Sequence, residues 1–230
     1  MNRQTFHFVM CVNRERMARE CAFYISRLYV PEGYDVEITT ITDAKSMCEG
    51  YNRAIRMKPG DDVRTSDVPY RIYLHQDVYI MNRWFLHHLL AVFASDARIG
   101  LIGMVGTKEL DETGIMWAGQ SVGMNLQPSD DPYEEEPVSG RISVEDMVSA
   151  DGFLLATSVD VPWREDLFDG FDFYDVSQCF EMRRRGYRVV VPLQTAPWCL
   201  HDDGKLLSMW NYNAYRKILL ENYEKEWFHL

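Results

Sequence analysis

Short apolar runs alternate with amphipathic stretches through the first half of the chain. Residues 6–12 are almost wholly apolar, which predicts a buried strand, and residues 15–28 then carry an apolar stripe at helical spacing. The same pattern repeats as a strand over residues 34–40 and a helix over residues 45–57, which ends before a Pro-Gly pair. This order of strand, helix, strand and helix indicates βα units.

A polar cluster interrupts the next strand pattern, residues 70–80. Apolar and polar residues alternate at its start, and His75, Gln76 and Asp77 then follow one another. These three side chains cannot all be buried without partners. Ligands of open α/β sheets bind beyond the carboxyl ends of the strands, so Asp77 is well placed to hold a divalent cation that carries phosphate. The alternative is a capping Asp in a strand-to-helix turn.

The alternation continues with a helix capped by Asn82 and an apolar strand over residues 99–105. Elements of this kind predict an α/β fold with a mostly parallel central sheet and helices on both faces. From residue 107 to 143 the periodicity gives way to Gly, Pro, Ser and the run DDPYEEEP. We interpret the first part of this segment as a substrate-side loop and residues 130–137 as a solvated excursion without chemistry.

Regular patterns return in the second half. Strands are predicted over residues 144–149 and 153–159, and a helix over residues 173–185, with Gly186 suited to its C-terminal cap. A further strand over residues 187–191 stops at a proline. An amphipathic helix rich in aromatic residues closes the chain, and we interpret its aromatic stripe as core or lid.

The helix predicted over residues 173–185 carries charge at both ends. Asp172 and Asp175 lie at its start, where we expect the helix dipole to keep both carboxylates ionised, as either a base or a cap requires. The three arginines at 183–185 are interpreted as a solvated helix end that opposes the dipole.

Composition narrows the class of protein. The chain has 230 residues, 47% of them hydrophobic, which predicts a soluble globular protein with a substantial core. Its formal net charge of −11 argues against nonspecific binding of nucleic acid or of an anionic membrane, since either needs a basic face. No apolar run approaches a membrane span and the first residues lack the apolar core of a signal peptide, so a cytoplasmic protein is expected. Without linker composition or internal repeats, residues 1–230 are expected to form a single domain.

The five cysteines are scattered without any CxxC pair. Reduced, buried thiols are the simplest interpretation, as in a cytosolic protein. A zinc site at Cys199 and His201 is a less favoured alternative, because no matching pair of ligands occurs elsewhere in the sequence.

Six short features occur in order along the chain. They are FVMCVN at 8–13, SMCEGYNRAI at 46–55, YLHQDVYI at 73–80, IGLIGMVG at 99–106, FDGFDFYDVSQC at 168–179 and the later His201. Together they resemble the GT-A fold of nucleotide-sugar glycosyltransferases of the family-2-like type, in which YLHQDVYI lies where such enzymes carry a DxD-type motif and FDGFDFYDVSQC lies where they carry an acidic ED region. The resemblance covers nearly the whole chain and is greatest for the glycosyltransferases grouped with the streptomycin-biosynthesis StrF protein.

The resemblance implies a division of labour between the two parts of the domain. Residues 1–106 would bind a nucleotide-diphosphate sugar as the donor, and residues 107–230 would form the side of the acceptor, an unidentified glycan or small molecule with a hydroxyl group. Asn13 and Asp43 would face the base or ribose of the nucleotide, and Asn52 would support the donor pocket. We also expect residues 107–137, with parts of the last helix, to form a lid that orders when donor binds.

The resemblance also implies a metal ion, Mn or Mg. Asp77 matches the last Asp of the DxD motif, and His201 matches a late histidine that completes the metal shell. Such a cation stabilises the diphosphate leaving group, while donor phosphates and waters complete its coordination. His75, which replaces the first Asp of the motif, is assigned to the donor-binding residues. Lys205 would add positive charge there, and a solvated lysine is the alternative.

The catalytic base implied by the resemblance is Asp175, which matches the aspartate of the ED motif, with Asp151 in reserve. The expected reaction is an inverting sugar transfer. Two departures from the pattern are visible, because His75 replaces one Asp and Tyr174 replaces the Glu before Asp175. They favour the rival hypothesis of a catalytically silent nucleotide-sugar or glycan-binding module. A nucleotidyltransferase is a third possibility, but the chain lacks a Gly- and Lys/Arg-rich phosphate loop after its first strand.

Overall fold

The computed structural model describes residues 3–57, 70–126, 141–202 and 210–230. Residues 130–137, interpreted from the sequence as a solvated excursion, lie outside the described ranges. The strands are β1 Gln4–Cys11, β2 Tyr34–Ile41, β3 Tyr70–Leu74, β4 Val78–Ile80, β5 Ile99–Gly103, β6 Val105–Thr107, β7 Ser121–Gly123, β8 Val144–Asp146, β9 Ser149–Ala150, β10 Leu154–Thr157, β11 Arg188–Pro192 and β12 Cys199–His201. The α-helices are α1 Glu15–Ser26, α2 Met47–Met57, α3 Phe85–Ser95, α4 Tyr174–Arg184 and α5 Tyr212–Asn222.

Seven strands form the central sheet, in the order β2-β1-β3-β10-β5-β11-β8. β1 pairs in parallel with β2 and β3, and β5 pairs in parallel with β11. β10 runs antiparallel to both of its neighbours, β3 and β5, and β8 runs antiparallel to β11 at the edge. The prediction of an α/β fold with a mostly parallel sheet is confirmed, and β10 from residues 107–230 lies between β3 and β5 from residues 1–106.

Helices cover both faces of this sheet, as predicted. Successive side chains of a strand point to opposite faces, and β1 divides its buried residues accordingly. Phe6, Phe8 and Met10 pack with apolar residues of α1 and α3, whereas Val9 packs with residues of α2 and α4. Each fully buried side chain of this size contributes roughly 1.5–3 kcal/mol relative to an exposed one.

Two predicted strands are broken where the chain leaves the central sheet. The pattern over residues 70–80 ends as β3 at Leu74, and β4 then pairs with β12 instead. The apolar run from residue 99 stops at Gly103, and β6 then joins β7 and β9 in a separate sheet. A Cβ atom at Gly103 would lie 2.4 Å from the Cβ of Ala150, so this close approach requires glycine. The helix α4 ends at Arg184, and Gly186, the residue predicted to cap it, follows with a φ of 81°.

Of the three arginines at the end of α4, Arg184 and Arg185 are exposed, in agreement with a solvated helix end, whereas Arg183 is half-buried and binds another part of the chain. Glu181, whose side chain is only 8% exposed, forms ion pairs with Arg184 and Arg185. Arg183 donates to the backbone carbonyl of Trp227 at 2.6 Å. The Arg183 hydrogen bond attaches the C-terminal residues to α4, while the ion pairs of Glu181 lie within the helix.

Arg71 is a charged residue in the interior of β3, with no exposed side-chain surface. Its Nε and Nη2 donate to the two carboxylate oxygens of Asp160 at 2.6 and 2.8 Å, and its Nη1 lies 2.7 Å from His7 Nδ1. Such a two-point pair is the arrangement that compensates best for burying a guanidinium.

The cysteines are unpaired, as expected; Cys11 is partly buried and the other four are buried. Burial raises the pKa of Cys21 to about 12, so this thiol stays protonated. In the part of the chain that is described, no helix combines the length and the apolar character needed to cross a membrane.

Candidate active site

A two-stranded ribbon brings His201 to Asp77. β12 pairs antiparallel with β4, which places His201 opposite Val78, and the Asp202 N–H donates to the Asp77 carbonyl at 2.9 Å. The His201 ring stacks on Phe153 with 5.0 Å between centroids. His201 Nε2 thereby lies 3.6 Å from Asp77 Oδ1. The predicted meeting of these two side chains is confirmed.

His75 is a third member of this group. Its Nδ1 lies 3.4 Å from His201 Nε2 and 4.0 Å from Asp77 Oδ1. Asp77 Oδ1 is buried and accepts no hydrogen bond from the described residues. A buried carboxylate oxygen without a donor is costly unless a further group, such as a cation, binds it.

The electrostatics of this group favour the protonation states in which a side chain can donate an electron pair to a metal ion. Burial, together with the charge of His201, lowers the pKa of His75 to about 4. Burial opposes ionisation of Asp77, but the two facing imidazoles outweigh it and the pKa of Asp77 is lowered. At neutral pH the site therefore offers a neutral His75 imidazole and an ionised Asp77 carboxylate, which are the states that metal ligands need.

Gln76, between His75 and Asp77, anchors the turn that carries them. Its Oε1 accepts the backbone N–H groups of Asn13 and Arg14 at 3.0 and 2.8 Å, and its Nε2 donates to Asn13 Oδ1 at 2.6 Å. The turn after β3 is thus tied to the end of β1. Gln76 belongs to the polar run HQD, but the sequence alone did not show which of its residues anchors the turn and which could bind a ligand.

The second reactive group is Asp175, in the first turn of α4. Its Oδ2 accepts the Gly152 N–H and its Oδ1 accepts the Val176 N–H, both at 2.9 Å. Burial first, and the nearby charge of Asp151 second, raise the pKa of Asp175 to about 7. Burial also raises the pKa of Asp172. Burial therefore opposes the helix dipole, which was expected to keep both carboxylates ionised, and Asp175 is only partly ionised near neutral pH.

The entry to α4 is strained. Phe173 has φ 60° and ψ 4°, the left-handed conformation, and it is the N-cap residue of the helix. A residue other than glycine adopts this conformation at a cost of about 1–2 kcal/mol. Phe173 is buried, and its ring lies 4.7 Å from that of Tyr212 in α5. Packing therefore fixes a backbone conformation that directs the next two residues, Tyr174 and Asp175, into the site.

One cavity of about 640 Å³ joins the two groups. Its lining includes the His75, Asp77 and His201 side chains as well as the carboxylates of Asp151 and Asp175. A ligand in this cavity can therefore contact both the metal-type group and the aspartates at the same time.

The lining of the cavity is also aromatic. Trp117 and Phe171 line it although 62% and 60% of their surfaces are exposed, and Tyr212 of α5 also lines it. Among the described residues that line the cavity there is no lysine or arginine. Exposed aromatic faces beside carboxylates suit a neutral polyhydroxy ligand better than an anionic one.

Three of the predicted donor-binding residues lie outside this lining. Asn13 is bonded to Gln76, and the exposed Asp43 forms an ion pair with Arg53 at 2.7 Å. Asn52 is buried, and its amide makes two hydrogen bonds of 2.8 Å to the backbone of Trp163. Of the other two predicted donor-binding residues, His75 lines the cavity and Lys205 lies outside the described residues.

Cys199 does not belong to the metal-type group. In the described ranges, a set of closely spaced ligand atoms is formed by His75, Asp77 and His201, all within 4.8 Å of one another. The Cys199 thiol is instead buried in the core that α1 and α3 cover. The alternative of a zinc site built on Cys199 is therefore not supported by its position.

Several solved structures share this architecture. Residues 1–349 of S. aureus TarS match with a TM-score of 0.56 and 10% identity, over 97% of this chain and 68% of that chain. The same fragment in complex with UDP-GlcNAc matches with a TM-score of 0.54 and 9% identity, over 97% and 68%. The mannosyltransferase PcManGT from Pyrobaculum calidifontis, in complex with GDP-Man and Mn2+, matches with a TM-score of 0.52 and 12% identity, over 96% and 71%. At such identities the likeness establishes the fold, which is of the GT-A type.

Comparison by sequence gives the family. No curated protein matches the chain. The model of the Glycosyltransferase like family, however, matches residues 7–223. The chain therefore belongs to this glycosyltransferase-like family, and the prediction of a glycosyltransferase is confirmed at that level.

Proposed function

We propose that the protein transfers a sugar, with inversion, from a nucleotide-diphosphate donor to a hydroxyl group of a glycan or small molecule. The observation that carries this proposal is the single cavity that joins His75, Asp77 and His201 to Asp175. The solved complexes of TarS with UDP-GlcNAc and of PcManGT with GDP-Man and Mn2+ support the class of donor. Within the family, the motifs favour the StrF-type branch.

The residues present fit a divalent cation. Ligand atoms around an ion at about 2.0–2.2 Å lie roughly 3–4.4 Å apart. The separations of 3.4, 3.6 and 4.0 Å among His75 Nδ1, His201 Nε2 and Asp77 Oδ1 fall in that range. Asp77 and His201 would hold Mn or Mg, and such an ion would act as a Lewis acid that stabilises the diphosphate leaving group.

Asp175 is the proposed base. Two backbone N–H groups orient its carboxylate, and a pKa of about 7 lets it accept a proton near neutral pH. A positioned base of this kind typically contributes about a hundred- to ten-thousand-fold to the rate. Asp151, which faces the same cavity, is the reserve candidate.

The acceptor side lies within residues 107–230. Trp117, Phe171 and Tyr212 of this part line the cavity, and their ring faces would pack against a sugar ring of the acceptor. Asn13 and Asp43 are proposed to face the nucleotide from the donor half, residues 1–106. Asn52 would support that half indirectly, through the Trp163 backbone.

Nucleotide binding is the first test. UDP and GDP are added to the metal-free protein with and without Mn2+, and the unfolding temperature is measured. A ligand at a hundred times its Kd stabilises the folded state by about 2.7 kcal/mol. We expect one of the two nucleotides to raise the unfolding temperature more with Mn2+ than without it, and Asp77→Asn to abolish that difference.

A second assay, of activity, distinguishes the rival function of a catalytically silent binding module. UDP-sugars and GDP-sugars are then incubated with simple glycosides, and the release of nucleotide diphosphate is followed. Stabilisation without any release or transfer would favour a silent binding module. The absence of stabilisation by either nucleotide would contradict the proposed donor class.

A further inference from the structure

His75 and Tyr174, the two positions at which the chain departs from the motifs it resembles, contact each other. His75 Nε2 lies 2.6 Å from the Tyr174 hydroxyl, although 99 residues separate them in sequence. One residue stands where the DxD motif has its first Asp, and the other stands where the ED motif has its Glu. The two departures therefore form one structural unit.

This contact determines which His75 nitrogen faces the metal-type group. With Nε2 bonded to the Tyr174 hydroxyl, Nδ1 is the atom directed towards His201 Nε2 and Asp77 Oδ1, at 3.4 and 4.0 Å. A neutral imidazole that binds a cation through Nδ1 carries its proton on Nε2, and that N–H would donate to the Tyr174 oxygen. A hydrogen bond to the second ring nitrogen is the usual way in which proteins orient a metal-ligating histidine.

The Tyr174 hydroxyl is itself held in place. Tyr174 is buried, and its ring packs against those of Tyr51 and Trp163, with centroids 6.1 and 6.0 Å away. On the other side, a Cβ atom at Gly152 would lie only 2.1 Å from the hydroxyl oxygen. The hydroxyl thus occupies a fixed position between the Gly152 backbone and His75.

We propose that His75 is a third metal ligand and that Tyr174 is its positioning residue, so that the site prefers first-row transition ions to Mg2+. This inference rests on the metal ion of the proposed function. Two imidazoles and one carboxylate suit ions such as Mn2+ and Co2+, whereas Mg2+ prefers a shell of oxygen atoms. The substitution of His for Asp changes the preference for the metal and does not remove the site.

The test measures metal binding and needs no activity. Mn2+ is titrated into the metal-free protein, with and without UDP, and free Mn2+ is followed by electron paramagnetic resonance; Co2+ and Mg2+ are then added as competitors. We expect affinities in the order Co2+, Mn2+, Mg2+, as the general order for divalent ions predicts. Tyr174→Phe is expected to weaken Mn2+ binding by about 10–100-fold, the usual effect of removing a hydrogen bond behind a ligand.

Two further variants distinguish positioning from general stability. Tyr51→Phe removes a neighbouring buried hydroxyl that has no hydrogen-bond partner among the described residues, and it should bind Mn2+ like the parent. His75→Asp should shift the preference towards Mg2+. In that background Tyr174→Phe should cause no further loss of Mn2+ affinity, because Asp lacks the Nε2 that the hydroxyl contacts.

The outcomes are separable. Equal Mn2+ affinity of the parent and Tyr174→Phe would overturn the positioning role, and equal competition by Mg2+ and Mn2+ would overturn the preference. If the parent bound no Mn2+ with or without UDP, the metal ion of the proposed function would fail and this inference with it. Stabilisation by UDP alone is measured independently and would leave the donor class intact.

Discussion

The Asp175 carboxylate accepts a hydrogen bond from the backbone N–H of Gly152 at 2.9 Å. The first turn of α4 is thereby attached to the loop that precedes β10. Gly152 follows Asp151, whose charge raises the pKa of Asp175 in addition to burial. The proposed base and its reserve candidate therefore lie on two segments joined by one hydrogen bond, which makes their roles separable by substitution.

Asp175→Asn should lower the turnover of sugar transfer by about a hundred- to ten-thousand-fold with donor affinity unchanged. The amide keeps the shape of the carboxylate but cannot accept a proton. Steady-state kinetics of transfer and UDP or GDP binding measure the two quantities separately. Asp151→Asn is the matched comparison, and a larger loss of turnover in that variant would move the role of base to Asp151.

Activity and stability should depend on pH in opposite directions. A base with a pKa of about 7 is protonated below that pH, so kcat/KM should fall as the pH is lowered through 7. The unfolded chain ionises Asp175 at its ordinary pKa of 3.8, so the folded state loses stability relative to the unfolded state as pH rises from 3.8 to about 7. The cost reaches about 4 kcal/mol at most.

Comparison with Asp175→Asn isolates this effect from other titrating groups. Urea unfolding of both proteins is measured from about pH 4 to about pH 8. The variant should gain stability over the parent as pH rises. A constant difference across this range would show that Asp175 titrates in the folded protein much as it does in the unfolded chain.

Gly152→Ala should weaken Mn2+ binding and destabilise the fold by about 1–3 kcal/mol. The added Cβ would lie 2.1 Å from the Tyr174 hydroxyl oxygen and 2.9 Å from the Asp175 Cβ, so the hydroxyl must leave the position in which it contacts His75. Gly33→Ala is the control, because Gly33 has a φ of +85° but no atom within 4 Å of the added carbon. That variant should lose stability through backbone strain alone. Parent-like Mn2+ affinity in Gly152→Ala would contradict the expected displacement.

Asp160→Ala should destabilise the fold by about 3–5 kcal/mol, because it leaves the guanidinium of Arg71 buried without its carboxylate. Asp35→Ala removes an exposed ion pair with Arg3 and should change stability by less than about 1 kcal/mol. Denaturant unfolding of both variants at one pH provides the comparison. Similarly small losses of stability in the two variants would mean that another group compensates the buried charge of Arg71.

Residues 107–126 and α5 should gain protection from hydrogen exchange when a nucleotide sugar binds. Met116 and Trp117 from the first segment and Tyr212 from α5 line the cavity, so a ligand there would contact both. Exchange with saturating donor is compared with exchange in its absence. Equal protection in the two states would count against a lid.

The alternation of apolar and polar residues was sufficient to predict most of the sheet and its helices. It could not predict the direction of β10, since a period of two is the same for parallel and antiparallel strands. The meeting of Asp77 and His201 followed from the resemblance to a known motif. Their place at a common sheet edge agrees with the rule for open α/β sheets.

The contacts within the site could not be predicted from the sequence, for a different reason. The bond between His75 and Tyr174 joins residues 99 positions apart, and no local pattern records such a pairing. The pKa of Asp175 likewise depends on burial and on the charge of Asp151, whereas the sequence indicated only its place at a helix start. Tertiary packing decides both features.

The insertion of β10 between β3 and β5 has a consequence for synthesis on the ribosome. β3 and β5 emerge well before β10, Leu154–Thr157, which lies between them in the finished sheet and pairs with both. Until that segment leaves the ribosome, both strands present unpaired backbone edges, which can associate with other chains. The nascent protein should therefore depend on chaperones between the synthesis of β5 and the synthesis of β10. A slower translation rate over that interval should increase aggregation.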